Sequence, residues 1–249
     1  MLILFNKKEI DVKASIATAI FSAIFLFGCG AAPTNTEYQS HSVFRPLSDP
    51  RSEYALVVRG SPSEKQVLSI KSAVSYLPGP ILESLVPFEI CRDKEHLAGE
   101  YGGRTGQGDH YCAGNWKICL RDKESISTLM IWHESMHAFD EYLDSIGKSP
   151  IEKWRQIAGD VYDEEDTGLH CDRAFSSDGL MNDYSRCSPW EDRAEFFVQC
   201  LGYLHNRANA IEGHSYFKND PRYIAKLKEL KDEGLFTEKE YQTLRPLFQ

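Results

Sequence analysis

His133-Glu134-Ser135-Met136-His137 sets two imidazoles four residues apart, with a carboxylate beside the first. On a helix, residues i and i+4 project from one face, so both rings can reach a single Zn²⁺. Glu134 is then placed to act as general base on the water of a metal-assisted hydrolysis. Two histidines and a base are still an incomplete centre. A catalytic zinc site takes three protein ligands and keeps a further position open, so another segment must supply a donor.

That donor is sought on the next well-marked helix. Ser188, Pro189 and Glu191 form a capping-box start with proline at the first helical position. Ala194, Phe197, Val198 and Leu201 then give the helix an apolar face. Glu191 and Glu195, four apart, lie along one side of it. Spacing leaves either as the third ligand, and pure helix capping is a rival role for Glu191.

The elements that must hold these residues can be read from periodicity. Ser127 or Thr128 caps the histidine helix, and Leu129, Trp132, Met136, Phe139 and Leu143 supply its packing surface. His133, His137 and Asp140 fall on one stripe, where Asp140 is expected to orient a ligand by accepting a ring N–H. Upstream, Tyr54–Arg59 is β-rich, and a helix opens after Gly60 with Val67, Ile70, Ala73, Val74 and Leu77 on one face. Pro78-Gly79-Pro80 stops it. The segments 86–91 and 116–121 read as strands, separated by a glycine-rich loop over 100–114. Helical patterns resume at Pro150 and Asp220, and the acidic, irregular stretch between Asp160 and Asn182 reads as solvated surface. His96, His110, His170, His205 and His214 have no motif spacing and are read as ordinary.

The N-terminus has a different character. Lys7, Lys8 and Lys13 precede an apolar run from Ala14 to Phe27, short for a membrane span and suited to a secretory signal. Leu26-Phe27-Gly28-Cys29 resembles the lipobox of bacterial lipoproteins. That resemblance implies a signal peptide over 1–28, a lipid on Cys29 and a lipid-anchored place in the bacterial cell envelope. Residues 29–53, rich in Ser, Thr, Pro and Asn, read as a flexible tether, leaving 54–249 as the folded domain. The chain of 249 residues is acidic, with 28 Lys+Arg against 37 Asp+Glu. Losing residues 1–28 would remove three lysines and only two acids, so the acidity persists. This disfavours nucleic acid and a polybasic membrane patch, leaving the lipid as the membrane contact. In an exported protein the remaining cysteines suggest disulfides, expected as Cys112–Cys119 across a hairpin and Cys171–Cys187 across a loop.

The run from His133 to Tyr142, taken with Tyr184 and Glu191, resembles the catalytic domain of anthrax lethal factor and the related Pro-Pro endopeptidases. In that family the motif is followed by Ala and then Asp, as Ala138 and Asp140 stand here, and a tyrosine precedes the glutamate ligand by the spacing of Tyr184 to Glu191. The resemblance implies that Glu191 is the third ligand, that Glu195 supports it from outside, and that Tyr184 donates to the developing oxyanion. Met136 and the stretch Trp190 to Arg193 depart from the family pattern and bear on substrate preference.

The expected fold class is α+β: a zincin-like domain with a small mixed sheet packed on the active-site helix, followed by a mainly helical C-terminal part. The expected function is a zinc-dependent endopeptidase, monomeric, with one Zn²⁺ per chain, cleaving protein or peptide substrates outside the cytoplasm. The strand at Trp116–Arg121 would align the substrate by strand addition. The rival is a lipid-anchored, non-catalytic zinc-binding protein that keeps a metallopeptidase fold.

Overall fold

The computed structural model describes residues 39–44, 54–59, 62–84, 88–91, 99–101, 118–121, 126–162, 178–206 and 219–249. The chain divides into units 1–36 and 37–249, and every described residue belongs to the second. The expected signal peptide, Cys29, and the expected disulfide partners Cys112 and Cys171 lie outside the described residues. Among the described residues, no helix is long and apolar enough to cross a membrane.

Helices carry most of the described core. Helix α1 (Glu64–Val74) starts at a full capping box between Ser63 and Gln66 and buries Val67, Ile70, Ala73 and Val74, the face its spacing predicts. Pro78 to Pro80 does stop α1, but it also starts a short helix, α2 (Gly79–Glu83), because proline is compatible with a first helical turn. The histidine helix α3 (Thr128–Ser145) buries Ile131, Trp132, Met136, Phe139 and Leu143. Trp132 Nε1 donates to the Ala73 carbonyl at 2.8 Å, which pins α3 to the C-terminal turn of α1. Helix α4 (Pro150–Ala158) follows a turn in which Gly147 and Ser149 both take positive φ.

Helix α5 (Pro189–Leu204) is the central element and packs against α3 and α4. It buries Ala194, Phe196, Phe197, Val198 and Leu201, and also the charged Asp192 and Arg193. Helix α6 (Pro221–Asp232), capped by Asp220, and helix α7 (Glu238–Leu244), with a Thr237–Glu240 capping box, close the fold. Phe196 stacks on Tyr223 and Phe248, so the C-terminal end of the chain fills the core behind α5. Cys200 on α5 is a free thiol, fully buried, whose pKa burial pushes well above its ordinary value.

The expected α+β class is overturned. The longer described segments, 62–84, 126–162, 178–206 and 219–249, are predominantly helical and hold no strand. Among the described residues, strand pairing is confined to five short segments: β1 (Gln39–Phe44), β2 (Tyr54–Arg59), β3 (Phe88–Cys91), β4 (Gly99–Tyr101) and β5 (Ile118–Arg121). Their order is β1-β2-β3-β5-β4, antiparallel at both ends and parallel in the middle. Leu56, Val58, Phe88, Ile118 and Leu120 of the strands are buried in the same core as the helices, but α1, α3, α5 and α6 supply most of the described buried residues, and their long apolar stripes dominate the architecture. One strand lies inside the expected tether, since β1 pairs with β2. The expectation that the strand at Trp116–Arg121 aligns a substrate also needs correction. Segment β5 is flanked by β3 and β4, so its backbone edges are already paired and cannot accept another strand.

Candidate metal centre

The two histidines leave α3 side by side. Their rings meet edge to face with centroids 4.7 Å apart, and Nε2 of His137 lies 3.0 Å from Nε2 of His133. Glu191 enters from the first turn of α5. Its Oε2 is 2.9 Å from His133 Nε2 and 3.4 Å from His137 Nε2. The three donor atoms form one group compact enough to hold a metal ion.

The cap of α5 explains how Glu191 reaches the histidines. Ser188 Oγ accepts from the Glu191 backbone N–H at 3.2 Å, so the backbone of Glu191 serves the cap. Its carboxylate does not turn back to complete a capping box; it points to the histidines instead. The two roles in competition for this residue are thus split between its backbone and its side chain.

The donor set fits a divalent metal. His133 Nδ1 lies 2.9 Å from Glu195 Oε1. When that nitrogen donates its proton to Glu195, Nε2 presents a lone pair to the Glu191 carboxylate and the His137 ring. Acceptors converging at 2.9 to 3.4 Å repel unless a cation or a proton lies among them. Zinc held at about 2.0–2.2 Å by nitrogen and oxygen spreads tetrahedral donors to about 3.3 Å, close to the separations here. The electrostatics carry the same demand. Burial lowers the pKa of His133, but its hydrogen bonds with Glu191 and Glu195 outweigh this and raise it to about 10. Burial pushes Glu191 up, and its hydrogen bonds to both histidines overcome this and hold it well below the usual carboxylate range.

The support around the ligands differs in one respect from the sequence reading. Glu195 is the carboxylate that meets the His133 ring at Nδ1, whereas Asp140 bonds Arg193 instead. Asp140 is fully buried, accepts from Arg193 Nε at 2.8 Å through Oδ1, and its Oδ2 has no hydrogen-bond partner among the described residues. Helix periodicity puts Asp140 on the histidine stripe, but Arg193 of the facing helix captures its carboxylate. Burial raises the pKa of Asp140 although Arg193 opposes the shift.

Glu134 is buried on α3. Its charge acts on both His133 and Tyr184, raising the pKa of each. Tyr184 opens a single 3₁₀ turn (Tyr184–Arg186) before α5, with its ring 5.9 Å from that of His133. Its side chain is 44% exposed, at the rim of the centre rather than inside it. Partial burial raises the Tyr184 pKa, as do the nearby charges of Glu191 and Glu134 and a hydrogen bond with Glu191. Its hydroxyl therefore keeps its proton and remains a donor. Cys187, which follows the turn, is disulfide-bonded.

Several contributing residues escape the sequence reading. Arg193 is fully buried and bonds Asp140 of α3 and Glu233 just beyond α6. Asp192 is also fully buried and accepts through Oδ2 from Trp154 Nε1 (2.6 Å), Tyr162 Oη (2.7 Å) and the Lys226 ammonium. Lys226 also donates to the Gly179 carbonyl at 2.6 Å. Burial lowers the pKa of Lys226 while Asp192 opposes the shift. Gly179 has φ +80, a conformation that residues with a Cβ rarely adopt, so the turn favours glycine. The signal for Asp192 and Arg193 is available in principle: charges on a helix that is otherwise apolar demand buried partners. Asn182 is the remaining one, and it donates to Glu195 Oε2 at 2.7 Å.

Comparison with known proteins returns no matching family model, no matching curated protein and no matching solved structure.

Proposed function

We propose that the chain is a zinc-dependent endopeptidase, with His133, His137 and Glu191 as the metal ligands. The observation that carries this reading is the convergence of two histidine nitrogens and one carboxylate oxygen from two helices, with a buried glutamate next to the first histidine. The resemblance of the same residues to lethal-factor-type peptidases points the same way. Bound there, Zn²⁺ would supply Lewis acidity toward a peptide carbonyl and an acidified water.

The remaining work falls to side chains of the protein. Glu134 takes a proton from the attacking water on its carboxylate and returns it to the leaving amine nitrogen. Glu195 holds the His133 ring through Nδ1, so that Nε2 faces the ligand cluster. Tyr184, kept protonated by burial and nearby carboxylates, donates its hydroxyl to the oxygen on which charge develops. Its exposed position lets it meet a substrate arriving from solvent.

The test is zinc content and cleavage of a peptide library by the full chain in detergent. Wild type is expected to hold one zinc per chain and to cleave. Glu134→Gln is expected to keep the zinc and lose cleavage by roughly 10²–10⁴-fold. Equal cleavage by both proteins would remove Glu134 from the chemistry, and zinc without cleavage in wild type would favour the non-catalytic binder.

A further inference from the structure

The hydrogen bonds around Glu195 continue away from the ligands. His133 Nδ1 meets Glu195 Oε1 at 2.9 Å, and Glu195 Oε2 accepts from Asn182 Nδ2 at 2.7 Å. Asn182 Oδ1 accepts from the backbone N–H of Ser185 at 2.9 Å and from its hydroxyl at 3.1 Å. Ser185 is fully buried and follows Tyr184 within the 3₁₀ turn. One side chain therefore joins the support of a ligand histidine to the turn that carries the exposed tyrosine.

The chemistry of the link requires an amide. A carboxylate such as Glu195 can only accept, so its partner must present an N–H. The Ser185 backbone N–H can only donate, so its partner must present a lone pair. Asparagine offers both from one short side chain, and its orientation is fixed by these neighbours. Aspartate satisfies Ser185 but sets a second carboxylate against Glu195.

We propose that Asn182 is a positioning residue that couples the orientation of the His133 ring, through Glu195, to the placement of the Tyr184 turn. The zinc arm of its test rests on the metal-centre reading; the link itself does not. Asn182 acts through Glu195 on one side and Ser185 on the other. Its effect is to keep the first ligand and the oxyanion donor in mutual register while they sit on separate elements.

The experiment uses the full chain in detergent, labelled with ¹⁵N-histidine and ring-¹³C-tyrosine, as wild type, Asn182→Asp and Asn182→Ala. Histidine ring nitrogens and tyrosine ring signals are recorded in metal-free protein, and zinc affinity is measured by competition with a chelator. Asn182→Asp is expected to shift the His133 ring nitrogens, leave the Tyr184 signals in place and weaken zinc binding about 10–100-fold. Asn182→Ala is expected to move both His133 and Tyr184. His133 nitrogens unmoved in both variants, with zinc affinity within about twofold of wild type, would overturn the proposal and reduce Asn182 to a turn cap. If Asn182→Asp does not fold, Asn182→Ala decides alone, because it removes the donor without adding charge. If wild type takes up no zinc, the metal-centre reading fails, and the His133 signals of the metal-free proteins still decide the link.

Discussion

Ser188 and Glu191 show how two demands on one helix end are met by different atoms. Because the Glu191 backbone serves the cap and its carboxylate serves the ligand cluster, the two can be separated by mutation. Ser188→Ala is expected to lower stability by about 1 kcal/mol, read from urea melts, with zinc still bound. Glu191→Gln is expected to do the reverse, with little change in the urea melt of the metal-free protein and loss of stoichiometric zinc in metal analysis. Tyr184→Phe tests the rim in the same way. It should retain zinc and reduce peptide cleavage by roughly 10²-fold or more, the usual cost of one oxyanion donor, measured as kcat on a cleaved peptide. Much at this scale is legible in sequence. The i, i+4 histidines, the adjacent glutamate and the serine–proline helix start are local patterns, and local patterns survive folding. The partner of Asp140 is not local. One helix predicts which residues share a stripe, but Arg193, the residue facing that stripe, comes from another helix.

Between elements, α5 is fixed to its neighbours by charge as well as by apolar packing. Arg193 ties it to Asp140 of α3 and to Glu233, and Asp192 ties it to Lys226 of α6 and Trp154 of α4. These contacts set the rotation and depth of α5, and with them the reach of Glu191 toward the histidines. The Trp154 ring also lies 5.2 Å from both the Arg193 guanidinium and the Lys226 ammonium, which joins the two ion pairs into one buried assembly. Removing one partner of a buried pair leaves an uncompensated charge. Arg193→Met is therefore expected to cost about 3–5 kcal/mol in chemical denaturation. The helices themselves follow the apolar periodicity of the sequence. The fold class does not, because alternation over a few residues marks a strand without showing how much of the core it will carry. The strand order is hidden for a related reason: the pairing of β5 with both β3 and β4 depends on long-range contacts.

At the scale of the molecule, the described core is built mostly from helices whose burial does not depend on the ligand cluster. Trp132, Trp154, Phe196, Phe197, Tyr223 and Phe248 are buried with or without a metal, each held by apolar neighbours. Removing zinc with a chelator is therefore expected to leave the far-ultraviolet circular dichroism helical. It should lower the melting midpoint by an amount that grows with the free zinc used for comparison, about 2.7 kcal/mol of stabilisation at a hundred times Kd. Truncation before Pro221 should instead abolish cooperative unfolding, because it removes Tyr223, Lys226 and Phe248 from the centre of the core.

Cys200 turns this architecture into a clock. A thiol reagent needs a thiolate it can touch, and the Cys200 thiol is sealed inside α5 with its ionisation suppressed. Its alkylation, followed by mass mapping of the peptide that contains it, times each opening of the helix that carries Glu191. Free zinc at a hundred times Kd should slow that clock about a hundredfold where opening releases the ion.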